Sequence, residues 1–113
     1  ERDAIRSAVE EGPASLSTGG GAICAPDTAE LLCKRTIVVW LSAAPETLLG
    51  RIGSTGSRPL LHGDDPLGML GQLAAERETD YGKAHITIKT DGLSAWSTTL
   101  PVLSTLATHL AVT

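Results

Sequence analysis

The sequence has 113 residues, a formal charge of −4, 42% hydrophobic residues, and Trp40, Trp96 and Tyr81 as its aromatic side chains. That length suits one domain with a modest core. The acidic balance argues against general nucleic-acid binding, the scarcity of aromatics against a base-stacking platform, and the shortness of every apolar run against a membrane span.

The first predicted element is a helix over residues 1–12, ERDAIRSAVEEG, with Ala4, Ile5, Ala8 and Val9 at helical spacing and Gly12 as its stop. PASLST, residues 13–18, reads as a short buried strand that runs into Gly19, Gly20 and Gly21. APDTAELLCKR, residues 25–35, reads as a helix capped by Asp27, with Leu31 and Leu32 on its apolar side. TIVVWLS, residues 36–42, is apolar without alternation and fits a parallel strand covered on both faces.

Residues 44–53 predict a helix with Pro45 in its first turn and Gly53 as its stop. The Gly-, Ser-, Asp- and Pro-rich stretch that follows reads as a mobile loop, with a lid at about residues 54–65. A longer helix over residues 67–82 places Leu67, Leu70, Leu73 and Ala74 on one face. HITIKT, residues 85–90, alternates as a strand through Ile86 and Ile88. A last helix over residues 93–112 carries Pro101, which should kink or interrupt it. Strands alternating with helices predict an α/β fold with a parallel sheet.

Cys24 and Cys33 fit neither a zinc pattern nor a CxxC redox motif and read as reduced thiols of a cytoplasmic protein. No signal-peptide pattern opens the chain, and Glu1 in place of Met suggests a processed or truncated start. Three consecutive glycines at a strand end exceed what a tight turn needs; they suit a ligand that approaches the main chain closely, or a flexible turn. The spacing is not that of a dinucleotide fingerprint, and no GxxxxGK[ST] phosphate loop occurs in the chain. Three arginines suit an anionic ligand: Arg51 near one helix end, Arg58 in the mobile loop and Arg77 near the next helix end. Their plainer reading is surface pairing with Glu46, Asp64, Asp65 or Glu78.

TGGGA after an apolar strand, VVWLSA, an arginine seven residues before RPLL, and R-x-x-x-Y together resemble the shikimate kinases. The resemblance implies a fold like that of the nucleoside monophosphate kinases: a three-layer α/β arrangement with a parallel sheet flanked by helices. It implies phosphorylation of the shikimate 3-hydroxyl by ATP with Mg²⁺, in aromatic amino-acid biosynthesis, by a cytoplasmic enzyme that is monomeric when complete. By position, Gly19, Gly20, Gly21 and Arg77 match the shikimate side, Arg77 clamping the carboxylate. Arg51 matches an arginine packed on the adenine, and Arg58 the catalytic lid arginine that reaches the ATP phosphates. No residue matches a metal ligand.

The departures are as informative. The phosphate-loop strand and helix, the Mg²⁺ ligand, the candidate base and a second carboxylate arginine have no counterpart in these residues, and the proline expected after the last strand is missing. The chain therefore reads as a single, N-terminally truncated kinase domain over residues 1–113, matching about the last two thirds of the family and inactive alone. Without the central strand, PASLST and TIVVWLS should face a gap or pair directly. Two alternatives are a related small-molecule kinase, such as a gluconate kinase, and a non-catalytic binding module that lost its phosphate loop.

Overall fold

The computed structural model describes residues 2–52 and 65–111. Helix α1, Arg2–Glu11, ends at Gly12, whose φ of 113° requires glycine. Its Ile5 packs with Ala22 and with Leu31 and Leu32 of α2, Pro26–Arg35, while Val9 and Val38 close over this small core. Asp27 does not cap α2. Ala25 holds the cap position and its methyl side chain has no acceptor to offer, while Pro26 at the start needs no partner for an N–H it lacks. Asp27 lies instead in the first turn, where its charge suits the helix dipole, and it pairs with Arg2 at 3.3 Å.

Strand β1, Val39–Ser42, and strand β2, Ile86–Lys89, form a parallel pair in the register Val39–Ile86, Trp40–Thr87, Leu41–Ile88 and Ser42–Lys89. Between them run α3, Pro45–Ile52, and α4, Pro66–Tyr81; α5, Ala95–Ala111, follows β2. This is the expected mixed α/β architecture with a parallel sheet, which has two strands among the described residues.

The sequence predicted a third strand at PASLST. Residues 13–18 are exposed and form no strand. Extended backbone is stabilised by a ladder partner, and the described sheet offers this segment none, so it does not close onto β1 either. The predicted two-sided burial of β1 is also corrected. Its residues are half-buried apart from Leu41, which is 55% exposed, since a two-stranded sheet is too narrow to cover both faces. In β2 the alternation holds: Ile86 and Ile88 are buried, Thr87 and Lys89 exposed.

Helix α4 buries Leu70 alone of its predicted face; Leu67 and Ala74 are exposed and Leu73 is half-buried. Its start is set by Asp65, which accepts from the Gly68 N–H at 3.0 Å, with Pro66 in the first turn. Pro101 does not interrupt α5, which runs continuously to Ala111. The helix is anchored upstream of the proline. Ser94 Oγ accepts from the Ser97 N–H at 3.0 Å, and the Ser94 carbonyl accepts from the Thr98 N–H at 3.0 Å. The single main-chain bond that Pro101 removes is tolerated there. Among the described residues, no helix is long and apolar enough to cross a membrane.

Candidate functional site

The three glycines open a tight turn into a short 3-10 helix, Ala22–Cys24. The Ala22 N–H donates to Gly19 O and the Cys24 N–H to Gly21 O, both at 3.1 Å. Among the described residues only Gly12 and Gly92 have positive φ, so the triple glycine is not there for left-handed backbone. At Gly20 the reason is space. A Cβ there would lie 3.0 Å from Arg77 Nη1 and 3.0 Å from the Tyr81 hydroxyl. At Gly21 it would meet nothing within 4 Å.

Helix α4 brings Arg77 and Tyr81 to this turn. They are four residues apart and share one helix face. The Tyr81 hydroxyl donates to Gly20 O at 2.8 Å and accepts from Arg77 Nη1 at 3.4 Å. Trp40 of β1 holds the Tyr81 ring edge-to-face, with centroids 5.3 Å apart. Thus Gly20 and Arg77, 57 positions apart in sequence, meet through Tyr81. Gly21 stands open beside them, and Gly19 contributes its carbonyl to the turn. No ion pair to Arg77 is present among the described residues; Asp64, one of the partners named for the surface-pairing reading, lies outside them. Cys24 lies beneath the turn, its Sγ 3.9 Å from Gly20 O. Desolvation, reinforced by the Asp80 carboxylate and opposed by Arg77, raises its thiol above the usual range.

Arg51 belongs to a second constellation. Its Nη1 donates to Thr90 Oγ1 at 2.9 Å, and its Nη2 to Thr90 O and, at 3.3 Å, to Leu93 O. These partners sit on the turn after β2, closed by the Leu93 N–H to Thr90 O bond at 3.0 Å, with Gly92 at φ 76° in its third position. The other end of α3 is tied to the same turn. Asp91 Oδ1 accepts from the Ala44 N–H at 2.8 Å and from the Thr47 hydroxyl. Arg51 therefore does not pair with Glu46. Its in-plane N–H groups hold a turn, and hydrogen bonding in the plane leaves guanidinium faces for stacking. Arg58 and nearly all of the predicted lid lie outside the described residues.

The Thr47 hydroxyl, then the Ala44 N–H, hold the Asp91 carboxyl below its ordinary value of 3.8. A lowered folded-state value means that this stabilisation is present above the unfolded value and is lost as pH falls through the lower, folded one. Asp91→Asn is accordingly expected to lower the urea midpoint at neutral pH, with the gap to the parent closing below about pH 4. Urea titrations from pH 7 to pH 2 measure it; a gap that persists unchanged in acid would remove Asp91 as a charged cap.

Sequence reasoning missed Tyr81, Trp40 and Asp91 as site-shaping residues. The four-residue spacing from Arg77 was the available signal for Tyr81. Nothing local marks Trp40 or Asp91, whose partners are 41 and 44 or more positions away.

A family profile described as shikimate kinase matches residues 1–107. The chain belongs to the shikimate kinase family. It is 47% identical over 79 residues to a shikimate kinase of Symbiobacterium thermophilum, covering 67% of this chain and 45% of that protein. It is 33% identical over 112 residues to one of Mesorhizobium japonicum, covering 99% of this chain and 55% of the other. Among solved structures, a shikimate kinase from Acinetobacter baumannii in complex with shikimate superposes with a TM-score of 0.82 at 30% identity, over 96% of this chain and 61% of that one. The chain spans about half the length of the curated relatives it matches.

Proposed function

We propose that this chain forms the acceptor side of an ATP-dependent shikimate kinase, a single domain that transfers a phosphoryl group to the shikimate 3-hydroxyl. The observation that carries the reading is the meeting of Arg77 with the Gly20 turn. A guanidinium with no ion pair among the described residues stands beside bare backbone, which is what a ring bearing both a carboxylate and hydroxyl groups requires. Arg77 binds the carboxylate, and Gly19, Gly20 and Gly21 let the ring lie against the main chain. Arg51, held on the 90–93 turn, offers its face to the adenine, and Arg58 stabilises the transferring phosphate. The enzyme is cytoplasmic and monomeric. The family match weighs against the gluconate kinase alternative.

ATP enters as substrate. Mg²⁺ is implied by the family, but among the described residues no three His, Cys, Asp or Glu side chains stand together as a metal site. No step is assigned through the ion.

The test contrasts two neighbouring glycines. Gly20→Ala should cost little stability, because the atoms it meets are the ends of two side chains, but should push Arg77 and Tyr81 out of place. Shikimate binding, measured by calorimetry or NMR titration, is expected to weaken roughly tenfold. Gly21→Ala, whose Cβ meets no protein atom within 4 Å and so takes only the space given to the ring, should also weaken binding but leave Arg77 and Tyr81 in place. Equal binding by Gly20→Ala and the parent would overturn the assignment of the glycine turn.

A further inference from the structure

We propose that Tyr81 is the positioning residue that aims Arg77 at the acceptor carboxylate; this rests on the reading of Arg77 above. A phenol has one proton to donate. In Tyr81 that proton goes to Gly20 O at 2.8 Å, so the oxygen can act toward Arg77 only as an acceptor. The polarity of the link is therefore set: backbone carbonyl, hydroxyl, guanidinium. Arg77 Nη1, at 3.4 Å from the hydroxyl, is drawn to the glycine turn by an interaction long enough to leave its charge for a ligand.

Two further features hold the tyrosine itself. Trp40 packs edge-to-face with its ring, so the phenol cannot swing away from β1 without losing that contact. Gly20 leaves no Cβ between the carbonyl it presents and the two side chains, each of which a Cβ would approach to 3.0 Å. Main-chain turn, helix α4 and strand β1 thus converge on one hydroxyl. The arrangement orients a guanidinium without neutralising it, as an aspartate in the same place would.

The inference separates aiming from mere stability. Tyr81→Phe keeps the ring and its Trp40 contact and removes only the hydroxyl. With the purified chain, NMR titrations with shikimate and with its methyl ester give four dissociation constants. Tyr81→Phe is expected to weaken shikimate binding about three- to tenfold. It should leave the uncharged ester unchanged, so the preference for the acid shrinks. Equal weakening of both ligands, or of neither, overturns the proposal. A parent protein that binds acid and ester alike would instead overturn the carboxylate role of Arg77, a failure visible before any variant is made. Should Tyr81→Phe unfold, Trp40→Leu keeps the hydroxyl and frees the ring. The same selective loss is then expected, and its absence counts against the proposal.

Discussion

The 113-residue chain on its own is expected to release no ADP above background when given shikimate and MgATP, and to show no saturable micromolar MgATP binding by calorimetry. Phosphoryl transfer depends on positioning and on neutralising charge. ATP phosphates are held by a nest of N–H groups at a helix N-terminus together with a lysine. No GxxxxGK[ST] lies among these 113 residues, and Gly20 of the triple glycine faces Arg77 and Tyr81 rather than a lysine. Arg51 is engaged by the 90–93 turn, so what it offers a polyanion is weak and sensitive to salt. The effect is all-or-none and therefore the largest expected here. Joining a phosphate-loop segment ahead of Glu1 should restore turnover. Activity in the chain alone would show that the acceptor-side assignment is wrong.

Arg77→Ala, in the same joined protein, should raise the shikimate KM ten- to a hundredfold. Removing a charge-assisted hydrogen-bonded partner costs about 1.5–3 kcal/mol. The structure adds a reason for the loss to fall on binding rather than on folding. Arg77 has no ion pair among the described residues, and its link to Tyr81 is long, so little native structure depends on it. A KM within twofold of the parent would refute the carboxylate assignment, whatever happened to the melting temperature. A fall in kcat with KM unchanged would place Arg77 on the transferring phosphate instead.

Much of the fold was legible in local patterning. Ile86 and Ile88 alternate with polar neighbours, and β2 follows. Pro45 opens α3, where a missing N–H costs nothing, and α4 begins at Pro66, one residue before its predicted start. The errors share one cause. PASLST has strand composition, but a strand is a partnership, and no local pattern says whether a neighbour is present. Leu41 reads as core and is exposed for the same reason. Pro101 breaks a local rule, and the helix absorbs it because its start is anchored by Ser94.

The candidate site divides along the same line. By itself the sequence determined which residue types were available: three adjacent glycines, arginines at two helix ends, and a tyrosine one helical turn after Arg77. Those are properties of single residues and short spacings, which elementary chemistry and helix geometry suffice to read. Only the tertiary structure decided their company. It set Gly20 against Arg77 and Tyr81, placed Trp40 behind the phenol, and gave Arg51 to Thr90 and Leu93 rather than to an acidic neighbour. Each of these pairings joins residues about 40 or more positions apart. Chain separation of that size carries no local signature: the contact exists because helices α3 and α4 pack where the β1–β2 pair directs them.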